Sequence, residues 1–132
     1  MPALRVCTPS DSDSGRRHRD GEYGHQPSQI NSWMPLSPAY DSNTLWLEAG
    51  GEATPLDDEF GCLHRFHGHA QHHFTQPNGT PSTRVSLDLR VVPGLCYDND
   101  WPGSRTPNTG RQAFFVGGYY AIADLSAPTY KI

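Results

Sequence analysis

The chain has 132 residues, enough for one domain with a modest core, and a formal net charge of −4, which leaves no electrostatic footprint for nucleic acid. Only 35% of it is hydrophobic, and no apolar run approaches the roughly 18 to 20 residues of a membrane span. Three cysteines, Cys7, Cys62 and Cys96, form neither a paired framework nor a C-x-x-C zinc motif, so a reduced, cytoplasmic setting is expected.

Along the chain, residues 1–15 carry Ser, Asp, Pro and Gly with little apolar content and read as a flexible lead-in, without the apolar core of a signal peptide. A single domain is expected over residues 16–132. Arg16, Arg17 and Arg19 form a short basic cluster, read as a solvated stretch. Residues 16–22 are expected to form a short strand and its exit turn. From Gln29 to Leu36 the residues alternate. Ile30, Ser32 and Met34 lie on one face, and Gln29, Asn31 and Trp33 on the other, which predicts a strand with a polar inner face.

Thr44 to Glu48 reads as a second strand, and Glu52 to Asp58 as polar turn. Residues 61–76 hold five histidines and two expected short strands. Pro77-Asn78-Gly79 is a turn signal, and the sequon Asn78-Gly79-Thr80 is read as part of that turn. Arg84 to Val92 is the clearest strand: Arg84, Ser86, Asp88 and Arg90 share one face, and Val85, Leu87, Leu89 and Val91 the other. A Gly/Pro/Asn/Asp loop follows over 93–112, then an aromatic strand from Phe114 to Ile122. No segment has a helical period. Many short strands between Gly/Pro turns predict an all-β sandwich or barrel.

Five residues stand out chemically. His18 and Asp20 are two apart, so on a strand both side chains point the same way. His73 follows Asp20 by 53 residues, and ten residues, 74–83, separate it from Arg84, with Ser86 two further on. Two histidines and a carboxylate can hold one face of an Fe(II) ion and leave the other open. An arginine with a nearby serine can grip the carboxylate of a co-substrate.

This order, H-x-D, a distant His, ten residues, R-x-S, resembles the Fe(II)/2-oxoglutarate-dependent dioxygenases. The text around it, Tyr23-Gly24-His25, Gln29 to Leu36, Phe66-His67-Gly68, Asn78-Gly79-Thr80, Thr83 to Val91 and Gly117-Gly118-Tyr119-Tyr120, is similar to the streptomycin-biosynthesis protein G type of oxygenase. The resemblance covers about residues 17 to 120. It implies a double-stranded β-helix (a jelly roll or cupin-like barrel) with Fe(II) on His18, Asp20 and His73. It also implies 2-oxoglutarate as co-substrate, held by Arg84 and Ser86, with Gln29 and Asn31 lining the cavity and contacting the co-substrate or orienting a ligand. The reaction would use O2, hydroxylate a small molecule, and yield succinate and CO2. Asp20 favours hydroxylation over halogenation, because a related halogenase lacks the carboxylate to admit halide. No nucleic-acid or membrane partner is expected.

Rival readings remain at this level. His18 and Asp20 read alone as an exposed polar loop. His64, His67, His69, His72 and His73 together read as a metal-scavenging surface tract. Arg84 could pair with Asp88, and Asp88 and Arg90 read as structural. Tyr23 and His25 are weaker site candidates, and Phe66, Trp46, Phe114, Phe115 and Tyr119 read as core. Only 17 residues precede His18, fewer than the covering helices of the resembled enzymes need. A cupin-like barrel that binds metal or ligand without turnover is therefore the alternative function. A cupin-type isomerase is a third, one that would not need Arg84. If Arg84 and Ser86 face inward, the apolar face of their strand points outward and needs cover.

Overall fold

The computed structural model describes residues 2–12, 15–105 and 114–123. Among the described residues seven strands make two antiparallel sheets. The larger has the order β1-β7-β2-β5, with β1 at Ala3–Cys7, β2 at Ile30–Pro35, β5 at His64–Phe66 and β7 at Arg84–Val91. The smaller has the order β4-β3-β6, with β3 at Leu45–Ala49, β4 at Glu52–Pro55 and β6 at His73–Thr75. A cavity lined by both sheets lies between them. The all-β expectation holds, and what helix there is among the described residues comes as three short 3-10 turns and the four-residue Pro102–Arg105. Among the described residues no helix is long and apolar enough to cross a membrane.

The alternating segments fold as their periods require. In β2, Asn31, Trp33 and Pro35 are buried and Ile30, Ser32 and Met34 are only partly covered. In β7, Arg84 and Ser86 are buried while Val85, Leu87 and Leu89 lie on the outer side. Register carries the same polarity across the sheet, with Asn31 opposite Arg90 and Trp33 opposite Asp88.

Four expectations change. The stretch 1–15, read as a lead-in, contributes β1, which pairs with β7 from Ala3↔Asp88 to Cys7↔Arg84. Glu52–Pro55 is a strand of a hairpin, not a turn. The turn is Gly50-Gly51, and both residues have positive φ (61° and 86°), the conformation a two-residue hairpin loop demands. Residues 16–22 form no strand. His18 makes one bridge to His73, and the chain then tightens into a 3-10 turn at Asp20–Tyr23 that ends on Gly24 at φ 89°. The aromatic segment 114–122 is likewise a turn closed by a single Val116–Tyr120 bridge, because Gly117 takes a φ of 93°. Asn78 does close a turn, and it is 2% exposed, with its amide bonded to the carbonyls of Cys7 and Ser82. The sequon it begins is therefore shut inside the fold.

Candidate metal and co-substrate site

His18, Asp20 and His73 come together although they sit on unlike elements. The bridge between His18 and His73 is built from two backbone hydrogen bonds, 3.2 and 3.0 Å, which set the two rings 4.3 Å apart between centroids. Asp20 is brought in by the 3-10 turn, whose backbone is tied to the loop over 68–69 through Asp20 N–H to Gly68 O and Gly21 N–H to His69 O. One ligating atom from each of the three residues lies within 4.8 Å of the others. Both Nε2 atoms stand 3.6 Å from Asp20 Oδ1.

The hydrogen bonds around the three assign their roles. His18 Nδ1 donates to Arg16 O at 2.6 Å, and His73 Nδ1 to Gln71 O at 3.0 Å. A carbonyl only accepts, so each Nδ1 carries a proton, and each Nε2 is directed at Asp20 Oδ1. Asp20 is divided between its two oxygens. Oδ2 accepts from Asn31 Nδ2 at 2.6 Å, Gln29 Nε2 at 3.1 Å and Arg90 Nε at 3.1 Å. Oδ1 faces the two imidazoles. Burial alone would push the Asp20 carboxyl up. Hydrogen bonding to His18 and His73, the Arg90 guanidinium and the Asn31 amide hold it well below the usual carboxylate range. Hydrogen bonding to Asp20 in turn raises His18 above its ordinary value, against the effect of burial.

A further chain of contacts fixes the partners of Asp20. Gln29 Oε1 accepts from His25 Nδ1 at 2.7 Å and from the Tyr120 hydroxyl at 2.6 Å, and Gln29 Nε2 also reaches Asn31 Oδ1 at 3.0 Å. Arg90 Nη1 donates to the Tyr119 hydroxyl at 3.2 Å. Burial lowers the His25 imidazole to about 4, so it stays neutral, and burial pushes the Tyr120 phenol up, so it stays a donor. Gly68 passes directly over Asn31, where a Cβ would overlap the amide. A larger residue at 68 would displace the group that holds Asp20.

Arg84 lines the cavity that His18 and His73 also line, and Ser86 lies buried beside it. Arg84 is 3% exposed and Ser86 fully buried. Arg84 Nε donates to Asn43 O at 2.7 Å, Nη1 donates to Ser86 Oγ, and the guanidinium carbon stands 5.6 Å from the Trp33 ring centroid. Burial pulls this guanidinium below its ordinary value. Among the described residues no carboxylate forms an ion pair with Arg84. Asp88, its expected rival partner, pairs across β1 with Arg5 at 3.1 Å. The cavity, about 330 Å³, is lined by His18, His73, Asn31, Trp33, Arg84 and Arg90, with Phe66 and Phe74 among its walls. That volume is at the lower end of what small-molecule sites occupy, about 300–1,000 Å³.

The other histidines are spent elsewhere. His64 Nε2 lies 3.0 Å from Asp58, His67 Nε2 donates to Pro27 O at 2.6 Å, and His69 Nδ1 donates to His25 O at 2.9 Å. His72 lies between Arg17 and Glu22 on the surface. His67 and His69 lie in the connection between β5 and β6. Arg90, read from sequence as structural, instead holds Asp20; its shared face with Arg84 and Ser86 was the available signal. Asn43 contributes a backbone carbonyl, which leaves no side-chain signature. Phe66, read as core, stands edge-on to His73, at 5.2 Å between centroids, in the cavity wall.

No family model matches the chain. The streptomycin biosynthesis protein StrG of Streptomyces griseus is 34% identical to it over 120 residues, 91% of this chain and 57% of that protein. The chain thus spans a little over half the length of this relative. Among solved structures, the non-heme monooxygenase ThoJ is similar in two forms. Its nickel complex has a TM-score of 0.56 at 20% identity, over 69% of this chain and 42% of ThoJ. Its apo form has a TM-score of 0.58 at 16% identity, over 69% and 44%. The architecture is an all-β, cupin-like double-stranded β-helix.

Proposed function

We propose that this chain carries the catalytic core of an Fe(II)- and 2-oxoglutarate-dependent oxygenase that hydroxylates a small molecule. One observation carries the reading: a buried guanidinium without a carboxylate partner among the described residues lines the same cavity as the two histidines of a two-histidine, one-carboxylate cluster. A buried unpaired charge is expensive, and an incoming carboxylate relieves it. The donor set suits a first-row divalent metal, with both Nε2 atoms and one carboxylate oxygen facing one another. The 34% identity to StrG, a streptomycin biosynthesis protein, supports a small molecule of biosynthesis as the substrate.

Fe(II), held by His18, Asp20 and His73, would supply the redox chemistry that uses O2. Arg84 and Ser86 bind the distal carboxylate of 2-oxoglutarate, Arg84 through the guanidinium edge left free by Asn43 and Ser86 through its hydroxyl. Gln29, Asn31 and Arg90 keep Asp20 ionised and oriented. Trp33, Phe66 and Phe74 exclude water from the cavity. In the balanced reaction 2-oxoglutarate loses CO2 and becomes succinate, which takes one oxygen atom of O2. The other enters a C–H bond of the substrate.

The test is a calorimetric titration of 2-oxoglutarate into Mn(II)-loaded protein, where no turnover intervenes. Arg84→Ala is expected to weaken binding by roughly a hundredfold, the loss of a charge-assisted bidentate contact. Equal binding by the folded variant would leave a barrel that takes metal without this co-substrate.

A further inference from the structure

A second cavity, about 450 Å³, adjoins the first. His18, Arg5 and Arg90 line both, and Asp20 and His25 line the second, so the three-residue cluster stands where the two meet. Each guanidinium there has one carboxylate partner, Arg90 on Asp20 and Arg5 on Asp88, and Asp20 already receives three donors on one oxygen. Among the described residues, Arg90 uses Nε on Asp20 and Nη1 on Tyr119, and Arg5 uses only Nε, on Asp88. Both guanidiniums keep N–H groups to spend. Arg5 is anchored through that one bond and is otherwise half-exposed at the rim. The rest of the wall is Tyr23, Phe114 and Tyr119 with Pro2 and Ala3. His25 lies between Phe114, at 3.7 Å, and Tyr119, at 5.3 Å, between ring centroids.

We infer that this second cavity binds the compound to be hydroxylated, and that this compound is a carboxylic acid with an apolar or aromatic body. The acid group takes the free guanidinium edges of Arg5 and Arg90, and the body lies against Tyr23, Phe114 and Tyr119. A cationic amine is disfavoured there, since two guanidiniums and a divalent metal repel it. The assignment of this ligand as substrate rests on the function proposed above. The acid preference rests on the cavity alone.

The experiment uses Zn(II)-loaded full chain saturated with 2-oxoglutarate, which occupies the first cavity. Three probes of one shape are titrated by ligand-observed NMR: 3-phenylpropionate, 3-phenylpropanol and 3-phenylpropylamine. The acid is expected to bind about tenfold more tightly than the alcohol, as a hydrogen-bonded charge pair provides, with the amine weakest. Arg5→Gln is expected to bring acid and alcohol within about threefold of each other, while 2-oxoglutarate affinity persists. Acid and alcohol binding alike, no acid binding at millimolar concentration, displacement of the acid by 2-oxoglutarate, or an acid preference that survives Arg5→Gln would each overturn the inference. If 2-oxoglutarate itself does not bind, the functional proposal fails separately. The same probes on protein with metal alone then decide the acid preference through Arg5.

Discussion

The two faces of the larger sheet reverse the usual arrangement of a half-exposed antiparallel sheet. Its inner face carries Asn31, Arg84, Ser86 and Arg90, while its outer face carries Leu4, Val6, Val91 and their neighbours, with Leu4 63% and Val6 57% exposed. The most deeply buried side chains of the described residues include Gln26, Gln29, Asn43, Asn78, Thr44, Asp20 and Ser86. Such an interior is stable only when its polar groups are partnered, because an unmade bond costs more than a made one contributes. What holds this sheet in register is therefore the network around Asp20 and Arg84. The outer apolar stripe, left in water, contributes little.

That contrast can be broken most severely at Arg90. Arg90→Met leaves Asp20 without its cation and is expected to cost about 3 kcal/mol or more of stability, measured by urea denaturation of the metal-free protein. Asn31→Ala acts next. Removing the 2.6 Å bond to Asp20 is expected to weaken Zn(II) binding by about 10- to 100-fold, read by competition with a chromogenic chelator. An unchanged affinity would mean that Asp20 is oriented by the turn alone.

His25 sharpens the comparison through pH. Its folded value is about 4 against an ordinary 6.5, so the unfolded chain binds the extra proton between those limits. The stability His25 contributes as a neutral group is full above pH 6.5 and is lost as pH falls through 4. The stability of the metal-free protein minus that of His25→Gln is expected to shrink by about 2 kcal/mol over that window. A difference flat in pH would place the His25 imidazole in water. The smallest effects belong to the outer face: Leu4→Thr and Val91→Thr are each expected to change stability by no more than about 0.5 kcal/mol. A larger loss would show that the stripe is buried against something in solution.

The same polarity explains what the sequence made legible. Strands β2 and β7 alternate strictly, so their faces could be assigned, and with them the inward direction of Asn31, Trp33, Arg84 and Ser86. Strand β1 also alternates, but over five residues and with an arginine on its inner side, so composition hid it. Strand β4 is an exposed edge whose Glu-Ala-Thr-Pro has no buried face to leave a pattern. The spacing of His18, Asp20 and His73 pointed to three residues that the fold brings together, yet the reason for their convergence was misread. A strand was expected to align His18 and Asp20, whereas a single bridge and a 3-10 turn do so. Pairings such as Arg90 with Asp20 and Arg5 with Asp88 depend on strand order, which no local pattern encodes.

The most direct test of the account is an anaerobic titration of metal-free protein with Fe(II) and 2-oxoglutarate, following the visible charge-transfer band of the chelate. A band is expected in the wild type, lost in His73→Ala and needing far more 2-oxoglutarate in Arg84→Ala. A folded wild type that binds Fe(II) and yields no band would contradict it, and the chain would then be a metal-binding barrel without this co-substrate.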